Sequence, residues 1–262
     1  MTAAGFDADT ALEPAGENRW RGVVPPTWSI GPGPNGGFMA ALAARAAKLA
    51  SGSDLRSLTL HYLARPTEDV IEVGAEVVRQ GRSTTFLRLE MTQQDRKVAA
   101  AQAVCSAWHD DAPSWSDATP PDLPAPDDCV RVDPGRSGVP PLISRYDMRL
   151  AARPPDERPL RVDGWLRTAQ PRAIDDVSLA AMTDAFIPPA IFRTPSPVSV
   201  PTLELTIHFR GRPPAGEHPF VATTFVSRLA AGGVVEADGE LWSEDGRLLA
   251  QSRQLALIRP LR

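Results

Sequence analysis

Three polar residues in the second half of the chain have the types needed to hold a water molecule and take its proton. Asp184 lies among Leu179, Ala180, Ala181, Met182, Phe186 and Ile187, where an ionised carboxylate is costly unless partners or water compensate it. Thr202 opens an alternating strand 18 residues later, and Gln254 interrupts a mostly small and apolar phase of the last strand. A carboxylate supplies a base, and a hydroxyl and a primary amide supply the hydrogen bonds that fix a water. Taken singly each has a plainer reading: Asp184 as a turn cap, Thr202 facing solvent, Gln254 bonded to a neighbouring backbone. Taken together they favour one working site, in which burial should raise the pKa of Asp184.

The elements that must position them follow from periodicity. The run FMAALAARAAKLA places Phe38, Leu42, Ala46 and Leu49 at helical spacing with few charges and ends at Ser51-Gly52, which predicts a helix covered on most sides. Four period-2 segments follow at Leu58–Leu63, Val70–Arg79, Thr84–Met91 and Val98–Trp108, a helix followed by an antiparallel meander. From Ala112 to Pro141 prolines recur too often for a regular element of any length. The expected organisation is an N-terminal copy over 1–112, a Pro-rich linker over 113–160 and a C-terminal copy over 161–262.

The second copy is visible as a repeat. LTLHYLARP and LTIHFRGRP set His61 against His208 and Pro66 against Pro213, 147 positions apart, and the late hairpins set Asp95 against Asp245. Two copies, rather than an open array, pair most economically edge to edge. The twin histidines read as structural strand residues. Asp184, Thr202 and Gln254 have Gly37, Leu55 and Val104 as counterparts on this alignment, so the polar trio is confined to the second copy. Gly36 and Gly37, at the start of the first helix, serve either as backbone N–H donors to a substrate carbonyl or as a tight turn.

Composition narrows the function classes. With Lys+Arg 28 against Asp+Glu 32 and a pI near 5.6, no global basic field draws nucleic acid. Two cysteines, Cys105 and Cys129, form no disulfide framework or metal spacing and suggest a reducing, cytoplasmic setting. No stretch is apolar enough for a membrane span, no secretory leader is legible in the first 20 residues, and no G-x-S-x-G elbow is present.

The segments MTDAFIPP, PTLELTIHFR and LLAQSRQLALIR resemble the catalytic segments of the type II and peroxisomal acyl-CoA thioesterases, and PNGGFMAAL resembles a thioesterase-like branch of that superfamily. The resemblance implies an α+β double hotdog, two tandem copies of a long central helix wrapped by a curled antiparallel sheet. It implies hydrolysis of acyl-CoA by activated water, with Asp184, Thr202 and Gln254 catalytic, no covalent intermediate, and no cofactor or metal beyond the coenzyme A of the substrate. Phe38, Met39, Phe186, Ile187 and Phe192 are candidate liners of the acyl site, with core packing as their default. Arg65, Arg79, Arg82, Arg210, Arg212 and Arg228 are candidate partners for CoA phosphates. A curled sheet with one face uncovered points to homo-oligomers. The rival readings are a non-catalytic acyl-CoA-binding module and an enoyl-CoA hydratase. The latter needs a histidine that neither His109 nor His218, at strand ends, evidently supplies.

Overall fold

The computed structural model describes residues 5–31, 33–152 and 158–260. The N-terminal half contains α1 (Phe6–Asp9), β1 (Glu13–Gly16), β2 (Arg19–Val23), α2 (Gly36–Ser51), β3 (Leu55–Tyr62), β4 (Val70–Gln80), β5 (Thr85–Gln93) and β6 (Arg96–Cys105). The C-terminal half contains β7 (Val130–Arg131), β8 (Tyr146–Leu150), β9 (Leu160–Thr168), α3 (Asp176–Met182), β10 (Val198–Ser199), β11 (Thr202–Phe209), β12 (Val221–Ser227), β13 (Ala230–Ala231), β14 (Val234–Ser243), β15 (Leu248–Leu257) and β16 (Arg259–Pro260). Among the described residues, no helix is long and apolar enough to cross a membrane.

The architecture is α+β: one open, antiparallel, 14-stranded sheet and two packed helices, α2 and α3. The sheet runs β1-β2-β4-β5-β6-β3-β11-β15-β14-β12-β9-β8-β7, with β13 paired to β14 off this path, so the order read outward from β3 is repeated outward from β11. At the junction Thr59 stands opposite Thr206 and their hydroxyls are 3.0 Å apart. These two residues are counterparts at the repeat distance of 147, so the two halves meet at equivalent positions on their edge strands.

Helix α2 forms where the alanine periodicity places it. Asn35 caps its start by accepting from the Phe38 N–H at 3.1 Å, and Gly52, at φ 64°, closes its end with an N–H to Lys48 O. Between Gly37 and Ala47 only Arg45 escapes burial, as expected of a helix sheathed by sheet on one side and α3 on another. The small alanine side chains let these neighbours approach closely.

The structure amends the repeat in four places. The second central helix is not long: α3 has 7 residues against 16 in α2, and Asp184 lies two residues beyond its end rather than within it. The helices start 140 residues apart, at Gly36 and Asp176, so Gly37 is not the positional counterpart of Asp184. Strand pairing sets Leu58 opposite Ala103 and Leu205 opposite Gln254, which makes Ala103, not Val104, the counterpart of Gln254. The segment 113–160 is irregular as far as Ala125, but β7 and β8 then extend the sheet edge beside β9. Residues 153–157 of that segment lie outside the described residues.

Asp176 ties three elements at one end of the helix pair. Its Oδ2 accepts from Lys48 Nζ at 2.7 Å and from the Leu55 N–H at 3.1 Å. The Asp176 side chain is buried and that of Lys48 is about one-third exposed. Removing the Asp176 carboxylate leaves the buried Leu55 N–H unpaired and the Lys48 ammonium with Asp54 alone. Asp176→Ala is expected to lower stability by about 2–4 kcal/mol. Urea denaturation measures this, and an unchanged midpoint would show that the tie contributes nothing.

Candidate active site

The sequence places Asp184 where helix α3 has just ended. Asp175 caps α3 through a capping box with Ser178, and Thr183 Oγ1 donates to Ala180 O at 2.8 Å in the last turn. The chain then leaves toward Pro188 and Pro189, which cannot continue a helix. This exit brings Asp184 against the first turn of α2, whose N–H groups lack intrahelical partners and carry partial positive charge.

The two carboxylate oxygens of Asp184 have different surroundings. Oδ2 accepts from the Gly37 N–H at 3.0 Å and from Asn35 Nδ2 at 3.0 Å. Oδ1 accepts from Gln254 Nε2 at 2.9 Å, and the same amide nitrogen donates to Thr202 Oγ1. The structure therefore joins Asp184, Thr202 and Gln254, separated in sequence by up to 70 residues, in one hydrogen-bonded cluster. Thr202 reaches it through a bulge between Thr202 and Glu204 on β11. In a regular ladder Thr202, three positions from Leu205, would fall in the opposite phase; the bulge returns it to the phase of Leu205, the residue that faces Gln254 across the ladder.

Gly36 and Gly37 are needed for this approach. A Cβ on Gly37 would stand 2.3 Å from Ala181 O, and one on Gly36 would stand 2.9 Å from Asp184 Oδ2 and 3.1 Å from the Tyr62 hydroxyl. Neither contact is tolerable. The expectation that these N–H groups face a substrate carbonyl is corrected for Gly37, whose N–H is spent on the carboxylate. The pair holds the acid.

Burial is the main influence on the charge of Asp184. Part of the residue's surface remains open, but protein surrounds the carboxylate, and desolvation raises its pKa from 3.8 to about 6. Hydrogen bonds from Gln254, Gly37, Asn35 and Gly36 oppose the rise without cancelling it. Asn35 and Tyr62 are neighbours that the sequence reading missed. Asn35 also donates to the backbone O of Asp184 at 2.8 Å, and the Tyr62 hydroxyl donates to Gly36 O at 2.8 Å. Desolvation, with the charge of Asp184 second, keeps that phenol protonated. The only advance signal for Asn35 was its place one residue before a helix start.

The other candidates are dispersed. Phe38 and Met39 are fully buried in the core, with Phe38 stacked against Trp28 at 4.9 Å, so core packing accounts for both. Phe186 is buried against Phe225 at 5.7 Å, whereas Ile187 and Phe192 are exposed, at 45% and 62%. Of the six arginines, Arg212 pairs with Asp110 and Arg228 with Asp238. Arg210 donates to Gln251, Arg79 and Arg82 are exposed, and Arg65 packs over Gly33 in the loop before α2. His61 and His208 are exposed strand residues, and the His218 ring contacts Thr168 O at 2.6 Å. Two clefts, of about 890 and 430 Å³, are lined respectively by residues including His208, Gln251 and Arg253, and by residues including Ala190, Val235 and Ile258. Neither reaches the trio. Among the described residues, no cluster of three or more His, Cys, Asp or Glu forms a metal site.

The raised pKa has a stability consequence. The protonated acid is favoured in the folded state, so its contribution is present below about pH 3.8 and is lost as pH rises through about 6. Asp184→Asn mimics the protonated form. The variant is expected to exceed the parent in stability at pH 8 by about 1–3 kcal/mol, the gap closing toward pH 4. Urea titration at both pH values measures it, and a variant less stable than the parent at pH 8 contradicts it.

Comparison with known proteins bears on the identity of the cluster. No curated protein matches the chain by sequence. A structure from Alicyclobacillus acidocaldarius, a conserved protein of unknown function with a hot dog fold, shares 27% identity over 98% of both chains with a TM-score of 0.87. A candidate thioesterase II from Thermobifida fusca shares 25% identity over 97% of both chains with a TM-score of 0.86. An acyl-CoA thioesterase II from Mycobacterium marinum, at 22% identity over 97% of this chain and 98% of its own, has the same fold with a TM-score of 0.77. Residues 24–106 match the acyl-CoA thioesterase N-terminal domain and residues 120–258 its C-terminal domain, and the chain thus belongs to the acyl-CoA thioesterase family.

Proposed function

We propose that the protein hydrolyses acyl-CoA thioesters to free acid and coenzyme A, and that its two halves form a double hotdog with a single water-activating site at the second. The observation that carries this reading is the convergence of Asp184, Thr202 and Gln254 beside the N-terminus of α2. Family membership supplies the substrate class. The cluster supplies the means.

In the proposed reaction a water donates one hydrogen bond to Asp184 Oδ1 and accepts one from the Thr202 hydroxyl, whose oxygen already accepts from Gln254. Water oxygen attacks the thioester carbonyl carbon as Asp184 takes its proton. The oxyanion then collapses, the carbon–sulfur bond breaks, and the thiolate of coenzyme A leaves and collects a proton. A base with a pKa of about 6 is ionised at neutral pH and yet stronger than an exposed aspartate, which suits proton abstraction. The positive end of α2 stabilises negative charge developing nearby.

The experiment is an acyl-CoA panel of varied chain length, followed by release of free thiol. The parent is expected to turn over at least one member, with kcat/KM rising with pH through about 6 to a plateau. Asp184→Asn is expected to lower kcat by at least about 100-fold. Tight binding of an acyl-CoA without thiol release would select the non-catalytic module instead, and equal rates for parent and variant would remove Asp184 from the mechanism.

A further inference from the structure

We propose that Asn35 is the positioning residue of this site, its amide clamping Asp184 in the orientation that turns Oδ1 toward Thr202 and Gln254. The inference rests on the water-activating role of Asp184 proposed above. Asn35 is 2% exposed, and every hydrogen-bonding group of its amide is engaged. Oδ1 accepts from the Phe38 N–H at 3.1 Å. A backbone N–H can only donate, so this contact fixes which end of the amide is oxygen and leaves Nδ2 facing Asp184.

Both Nδ2 bonds then go to the same residue. One reaches the Asp184 backbone O at 2.8 Å and the other its Oδ2 at 3.0 Å. Asp184 lies beyond the end of α3, and the bond that ties its main chain back to that helix, from its N–H to Ala181 O at 3.4 Å, is long and leaves the side chain unheld. Two anchors on one residue, one on the main chain and one on the carboxylate, restrict rotation about its side-chain bonds. Capping a helix requires only an acceptor, and Ser, Thr or Asp at this position would serve. The donor is what asparagine adds, and it is spent wholly on the acid.

Asn35→Ser separates the two roles, because it retains a capping acceptor and removes both amide N–H donors, leaving one hydroxyl O–H that can replace at most one of the two bonds to Asp184. For this variant kcat toward the best acyl-CoA of the panel is expected to fall roughly 10- to 100-fold with KM within about twofold. The acid limb of kcat is expected to move to higher pH, since a donor to the carboxylate is gone. Asn35→Asp, which keeps the shape but sets a carboxylate against Oδ2, is expected to lose more and serves equally if the serine variant does not fold. A readout independent of turnover is the carboxyl carbon-13 NMR titration of Asp184, assigned by its loss in Asp184→Asn. Its midpoint is expected to rise in Asn35→Ser. If the parent hydrolyses no acyl-CoA, the reading of the reaction fails while this titration still tests Asn35. A variant with the parent's kcat, pH profile and titration midpoint, or one that loses only thermal stability, overturns the proposal.

Discussion

The contact between the first turn of α2 and the carboxylate of Asp184 constrains the rest of the molecule. At 3.0 Å from the Gly37 N–H, the acid lies where side chains on the first helical residues would collide with it and with Ala181 O. Two consecutive glycines are the sequence's answer, although glycine is among the poorest helix formers. The polar residue ahead of them must also cap the helix, and α3 must end early enough to deliver the acid. Stability is surrendered at this point: an ionised carboxylate withdrawn from water, its hydrogen bonds only partly offsetting the desolvation, is a local conflict in the folded chain.

The remaining architecture keeps the two helices at that distance. The two halves present a five-strand run in the same order, and they join through Thr59 and Thr206 at equivalent positions. The helices lie antiparallel, so their pair has two unlike ends. At one, the start of α2 meets Asp184; at the other, Lys48 near the end of α2 meets Asp176, the first residue of α3. Both carboxylates stand by a helix start and the ammonium by a helix end, the arrangement that peptide dipoles favour. Only the first end brings a hydroxyl and an amide to the carboxylate. At the second, the positions matching Thr202 and Gln254 are Leu55 and Ala103, and the charges neutralise each other. One scaffold thus carries a polar cluster at one end and, at the other, an ion pair in which Lys48 also meets Asp54.

Much of this was legible in the residues. The alanine-rich period gave α2 and its end at Gly52, the alternating segments gave β3 to β6 to within a few positions, and LTLHYLARP with LTIHFRGRP gave the duplication, though not that these two strands are the ones that pair at the junction. That Asp184, Thr202 and Gln254 belong together was legible as well, because polar groups in apolar phases stand out against a repeat that lacks them. The failures share a cause. A constant offset cannot see where one copy is longer than the other, so Gly37 appeared as the counterpart of Asp184 when it is its hydrogen-bond donor. The added length lies after α3, in the stretch carrying Pro188 and Pro189. A one-residue difference between the late hairpins likewise moved the match of Gln254 from Ala103 to Val104, on the other face of the strand. Asn35 was passed over because a cap residue is common before any helix, and nothing local reveals that its donor reaches 149 residues along the chain. Exposed aromatic residues such as Phe192 and core ones such as Phe38 look alike in a sequence, since only packing separates them.

The proposed chemistry assigns Asp184 to a proton rather than to the carbonyl carbon, and these alternatives leave oxygen in different places. The most direct measurement is a single turnover, with enzyme in excess over acyl-CoA, in water enriched in oxygen-18. Mass spectrometry then follows both the released acid and the peptide containing Asp184. Attack by activated water puts the label in the acid during that first turnover and leaves Asp184 unlabelled. Unlabelled acid together with label in the Asp184 carboxylate would mean attack by the aspartate itself, and would contradict the account.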